Sequence, residues 1–138
     1  MTGNIFVDSN IWIYLFAFDN SNKNLIANDY ISENVKNNNI VISYQVINEV
    51  CYTLKRKKYT EPELRRIVNG MLGFCNVCPC SEEAIFTAFD LRDRYSFSFL
   101  DSQIVASALL TNCTVLASED MHDNLQIKNL QIKNTFID

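Results

Sequence analysis

Asp8, Glu49, Asp101 and Asp120 are four carboxylates that read together as a divalent-metal site. Asp8 ends the apolar run Ile5-Phe6-Val7, Asp101 interrupts the apolar set Leu100, Ile104, Val105 and Ala108, and Asp120 follows Val115-Leu116-Ala117 after a short interval. A carboxylate withdrawn from water must find a partner, accept a proton or coordinate a cation. One shared ion would meet that need for all of them.

Such a site requires elements that bring distant positions together. The chain alternates strand-like and helical segments, with three glycines, two prolines and no low-complexity stretch, a pattern that predicts an α/β domain on a parallel sheet. Ile5-Phe6-Val7 reads as the first strand, apolar on both faces, and Asn10 to Phe16 as the helix that follows. Asp8 then falls at the carboxyl end of the strand, where ligand sites of open α/β sheets lie. Leu25, Ile26, Tyr30, Ile31 and Val35 mark a helix from about Lys23 to Lys36, and Ile40-Val41-Ile42 a second strand. Ser43 suits the N-cap of a third helix, whose apolar stripe is Val46, Ile47, Val50, Cys51 and Leu54. Glu49 lies outside that stripe beside Gln45 and Thr53, so periodicity alone turns it to solvent.

Glu61 to Phe74 and Ser81 to Tyr95 give two further amphipathic helices, the second opening on a capping serine with Glu82 and Glu83 in its first turn. The helix from about Phe99 to Leu110 differs, because Asp101 stands at the centre of its apolar face. Free amides and the helix dipole favour a charged Asp101 there. A capping role would give the same benefit without a metal, although a cap faces solvent and this side chain points with core residues. Val115-Leu116-Ala117 predicts a third strand, and Ser118-Glu119-Asp120 leaves its end beside the end of the first. The tandem pentapeptide Leu125 to Asn129 and Leu130 to Asn134 reads as a loop and a strand, with the last strand around Thr135 to Ile137.

At 138 residues and 48% hydrophobic content the chain suits one domain, residues 1–138. Its longest apolar stretches, Ile11 to Phe18 and Ile104 to Leu110, fall short of the roughly 18 residues that span a bilayer. Met1-Thr2-Gly3-Asn4 lacks the features of a secretory signal, so a cytoplasmic location is expected. The odd number of cysteines, Cys51, Cys75, Cys78, Cys80 and Cys113, fits reduced thiols. Cys75, Cys78 and Cys80 lack the second ligand pair that structural zinc wants, His122 being the single histidine, and apolar packing around a strand accounts for them better. A net charge of −4 argues against a dedicated nucleic-acid binder but not against an enzyme acting on nucleic acid, since a cation would offset the four carboxylates. Lys55-Arg56-Lys57-Lys58 and Arg65-Arg66 are either solvated helix ends or phosphate contacts. Tyr14, Phe16 and Phe18 read as core residues, with an interface as the alternative.

Val7-Asp8-Ser9-Asn10 after an opening strand, Glu49 in the third helix, Leu100-Asp101 starting a later helix and Ser118-Glu119-Asp120 after a strand form an ordered set. Over nearly the whole chain that set resembles the PIN domain of VapC-type toxins from bacterial toxin–antitoxin pairs. The Ser-Glu-Asp run is similar to one bacterial branch of the family, in which a glycine often follows a few residues on; Asn124 stands there in this chain. The resemblance implies a three-layer α/β/α fold with a mostly parallel central sheet and Mg²⁺- or Mn²⁺-dependent endoribonuclease activity on RNA. It further implies a cognate antitoxin, with a homodimer as the expected assembly. Residue by residue, it implies Asp8, Glu49, Asp101 and Asp120 as the catalytic and metal-binding acids, with Ser9, Asn10 and Ser118 as polar supports. Glu119 becomes an additional acidic candidate, or a turn residue facing water.

The residue types suit that chemistry, because hard oxygen donors favour Mg²⁺ or Mn²⁺, and such an ion can activate water and neutralise charge at a phosphodiester. With one histidine, no two-histidine ribonuclease mechanism is possible within the chain, and no Gly-x-x-x-x-Gly-Lys loop is present. A PIN-like domain that binds RNA or protein without cleaving is the alternative from another class. A phosphotransfer domain is a further one, but Asp8-Ser9-Asn10 lacks the second aspartate of haloacid-dehalogenase domains and Ser118-Glu119-Asp120 lacks the lysine of response regulators.

Overall fold

The three runs Ile5-Phe6-Val7, Ile40-Val41-Ile42 and Val115-Leu116-Ala117 become neighbouring parallel strands, as residues apolar on both faces require. A computed structural model describes residues 3–137. In chain order its elements are β1 (Asn4–Val7), α1 (Ser9–Leu15), α2 (Asn22–Asn37), β2 (Asn39–Ser43), α3 (Tyr44–Arg56), α4 (Glu61–Phe74), β3 (Cys75–Cys78), α5 (Glu82–Arg94), α6 (Phe99–Leu110), β4 (Val115–Ala117), β5 (Gln126–Ile127) and β6 (Leu130–Lys133). The strands form one sheet in the order β3-β2-β1-β4-β6-β5, parallel except for the antiparallel pair of β5 and β6. The helices pack in two sets, α1 with α2 and α3 and α3 with α4 in one, α5 with α6 in the other. Helices thus flank a mostly parallel sheet in the expected three-layer α/β/α arrangement.

The core lies on the sheet. Phe6, Val7, Ile42, Leu116 and Ile132 are fully buried, each worth about 1.5–3 kcal/mol over an exposed state. Each helix opens on a side chain that accepts a backbone amide: Asp8, Ser21, Ser43, Thr60, Ser81 and Ser98. Ser43 and Ser81 cap as the sequence predicts, and α1 starts at Ser9 because Asp8 occupies its cap. Trp12 is buried between Phe16 and Phe74, with ring centroids 6.2 Å from each, and its Nε1 donates to the Val7 carbonyl at 3.2 Å. Tyr14 and Phe16 pack partly into the core, whereas Phe18 is 72% exposed on a loop where its own φ is 52°. The core reading therefore fails for Phe18.

Two expectations concerning the C-terminal part change. The tandem pentapeptide is a hairpin, with Gln126 opposite Gln131 and Ile127 opposite Leu130, so both copies carry a strand. Thr135 to Ile137 is not a strand; the last strand is β6, whose Leu130 and Ile132 are buried. The cysteines Cys75 to Cys78 form β3, Cys78 is buried and Cys80 exposed, and all five thiols are free. Burial pushes the Cys75 thiol up to about 12 and the Cys113 thiol up to about 11, so neither is a ready thiolate. No helix among the described residues is long and apolar enough to cross a membrane. The reading of the N-terminus rests partly on Met1 and Thr2, which lie outside the described residues.

Candidate metal centre

Register places the first two residues of the site. Val7 pairs with Ala117, so Asp8 and Ser118 leave β1 and β4 side by side, and the Asp8 amide extends the ladder by donating to the Ala117 carbonyl at 3.0 Å. Asp8 is 6% exposed, with Oδ1 accepting from the Ser9 amide at 2.7 Å and Oδ2 from the buried Ser118 hydroxyl at 2.8 Å. Burial pushes its carboxyl above the ordinary value. Ser118 and Ser9 pull it down, and the charges of Asp101 and Asp120 push it further up.

Asp101 is half-buried in the first turn of α6. The cap is Ser98, whose hydroxyl accepts the Asp101 amide at 3.1 Å, so the capping alternative for Asp101 falls away. Burial raises its carboxyl, Ser98 opposes the rise and Asp120 adds to it. Glu49 is half-buried too, contrary to the solvent-facing position that periodicity gives, because α3 packs on α1 and carries Glu49 to the start of that helix. Its carboxyl is raised first by burial and then by Asp8, with Ser9 lowering it, Asp101 raising it and Gln45 lowering it. Gln45 also ties α3 to α6, donating from Nε2 to the Leu100 carbonyl at 3.1 Å. Asp120 is exposed and held by Asn10, whose Nδ2 donates to its Oδ2 at 3.2 Å.

The structure thus gathers all four acids at the carboxyl ends of β1 and β4, close enough for their charges to disfavour one another. None has a basic partner among the described residues. Among the described residues the ion pairs are Lys23 with Glu119 and Lys55 with Glu61. A mutually repelling set of hard oxygen donors, one buried and two half-buried, with no cation paired to it among the described residues is short of positive charge. Among the described residues no three acid, histidine or cysteine side chains stand close enough to ligate one ion directly. The donor chemistry fits an ion that keeps several waters and takes one or two carboxylates itself, as Mg²⁺ does. A pocket lined by Ser9, Asn48, Glu49, Tyr52, Thr53 and Leu100 opens beside this set.

Sequence reasoning missed two residues at this end of the sheet. Glu119 does not face water: it accepts a hydrogen bond from Tyr14 at 2.7 Å and pairs with Lys23. The spacing of Asn10 and Tyr14, one turn apart on α1, is the signal that could have found Tyr14; nothing in the pattern singles out Lys23.

The fold is that of an α/β domain with a cluster of acids at the carboxyl ends of its central strands, the edge where ligand sites of such sheets lie. The PIN domain family model matches residues 5–126, and the chain belongs to that family. In fold it is similar to VapBC2 from Rickettsia felis bound to a promoter DNA fragment, at 20% identity and a TM-score of 0.70 over 95% of this chain and 98% of that one. DNA-bound VapBC from Salmonella typhimurium aligns at 18% identity and a TM-score of 0.70, over 98% and 99% of the two chains. VapC20 from Mycobacterium tuberculosis, a sarcin–ricin loop cleaving toxin, aligns at 17% identity and 0.63, over 81% and 86%. No curated protein matches the chain by sequence.

Proposed function

We propose that this PIN domain is a Mg²⁺- or Mn²⁺-dependent endoribonuclease, the toxin of a type II toxin–antitoxin pair, with Asp8, Glu49, Asp101 and Asp120 as its acidic metal set, one or two of them binding the ion directly and the others through its waters. The observation that carries this reading is the convergence at the strand ends of four carboxylates that have no basic partner among the described residues. Family membership supports nuclease chemistry. Likeness in fold to VapBC assemblies and to a toxin that cleaves the sarcin–ricin loop supports RNA as substrate and an antitoxin as partner. The exposed apolar side chains of Ile85, Phe86 and Phe89 on α5 and Phe99 and Leu100 on α6 support a protein partner, a second copy included.

A bound ion would supply an activated water and neutralise charge on the phosphate and the leaving oxygen. The chain's residues prepare for that. Ser118 and the Ser9 amide fix both Asp8 oxygens and favour the charged form. The first turn of α6 favours a charged Asp101, and Asn10 steadies Asp120. Glu49 and Ser9 share a wall of the neighbouring pocket, which gives an RNA strand a place to lie against the acids.

Purified protein is expected to cleave single-stranded RNA with Mn²⁺, to stop when a chelator is added, and to lose cleavage in Asp8→Asn and in Asp101→Asn. Cleavage that survives both substitutions sinks the site assignment. RNA binding by the parent without cleavage favours the non-catalytic alternative.

A further inference from the structure

Glu119 is the neighbour of Asp120 in the chain, yet its carboxylate is committed elsewhere. It is 18% exposed, Oε1 accepts from the Tyr14 hydroxyl at 2.7 Å, and Oε2 accepts from the Lys23 ammonium. Lys23 also donates to the Tyr14 oxygen at 3.2 Å and lies over two rings, 5.0 Å from the centroid of Tyr14 and 5.7 Å from that of Phe136. Phe136 meets Tyr14 edge-on, with centroids 5.2 Å apart. The backbone of Glu119 is held as well: its amide donates to Asn10 Oδ1 and its carbonyl accepts from Asn134 Nδ2, each at 3.3 Å.

Each residue of the turn after β4 is therefore gripped by α1 or its cap. Ser118 bonds Asp8, Glu119 bonds Asn10 and Tyr14, and Asp120 bonds Asn10. We infer that Lys23, acting through Glu119 and Tyr14, is a positioning residue for Asp120. It occupies a carboxylate that would otherwise add repulsion beside Asp120 or compete for the cation, and it fixes the turn so that Asp120 stays with Asp8 and Asp101. This rests on reading those carboxylates as the metal set. Partners of this outer kind commonly set metal affinity without touching the ion.

The test is Mn²⁺ binding by titration calorimetry, with thermal melting as a check on the fold, for the full chain and for Lys23→Met, Lys23→Arg, Glu119→Gln and the Lys23→Met/Glu119→Gln pair. Lys23→Met is expected to weaken Mn²⁺ binding by about tenfold. Lys23→Arg should restore most of the affinity, and the double variant should lose no more than Lys23→Met does alone, because the two act as one unit. A structural role alone would lower the melting midpoint and leave affinity unchanged. Unchanged affinity in Lys23→Met, or losses that add in the double variant, overturns the inference. So does abolished binding in Glu119→Gln, which would make Glu119 itself a ligand. A parent chain that binds no Mn²⁺ overturns the metal reading and this inference with it, and is told apart because every variant then behaves like the parent.

Discussion

Asp8 is under opposing demands. Its two oxygens are held by hydrogen bonds that favour charge, while burial and the charges of Asp101 and Asp120 disfavour it more strongly. A carboxyl raised in the folded chain binds more protons folded than unfolded, so it adds stability below its unfolded value and loses it as pH climbs from 3.8 through the raised value. Asp101 and Glu49 are raised in the same sense. In chelator, Asp8→Asn is therefore expected to melt above the parent at neutral pH, with the gap closing toward pH 3.8, while Mn²⁺ reverses the order. Cleavage by that variant should fall by at least about a hundredfold. A variant melting below the parent in chelator at every pH would show that Asp8 is stabilising without an ion. Of the four acids, Asp8, Asp101 and Asp120 were legible in the sequence because strand ends and an interrupted apolar face are local patterns. Glu49 was not, since its burial depends on how α3 docks against α1, and periodicity within one helix carries no information on docking.

At the scale of elements, the layout of helices and central strands was legible because alternating apolar runs and capping serines are local signals. The C-terminal hairpin escaped, because its reversal at Lys128 and Asn129 has no glycine, and Lys128 takes a φ of 53°. Asn124 shows the same physics closer to the site. It holds a φ of 69°, where the related branch often has glycine, and its Oδ1 accepts from Lys133 at 2.7 Å. Asparagine tolerates that conformation better than most residues. Asn124→Gly should leave stability within about 0.5 kcal/mol, and Asn124→Ala should cost about 1–2 kcal/mol in a denaturant titration. Equal costs for the two would show that the backbone conformation is not what constrains this position. Ser98→Ala, which uncaps the helix that carries Asp101, should cost about 1 kcal/mol and weaken Mn²⁺ binding; affinity held at the parent's value would mean that Asp101 keeps its place without the cap.

The whole molecule carries a net charge of −4, and its strand ends concentrate acid, which by itself repels a phosphate backbone. In the basic run at the end of α3, Lys55 pairs with Glu61 at 3.3 Å and the Arg56 guanidinium lies over the Tyr52 ring, 5.8 Å from its centroid, while Lys57 and Lys58 are exposed. On the proposed function, affinity for RNA would come largely from the cation, in contrast to binders that displace many counterions with lysine and arginine. Mn²⁺ at a hundredfold excess over its Kd should stabilise the fold by about 2.7 kcal/mol. Fluorescence anisotropy with a labelled single-stranded RNA should show binding at least about tenfold weaker in chelator than with Ca²⁺, a hard oxygen-seeking cation. The slope of log affinity against log salt should stay near −1 to −2, roughly the value for one or two phosphate contacts. A steep slope, or equal binding in chelator, would place the RNA contact on the basic helix end and separate recognition of RNA from the ion proposed for cleavage.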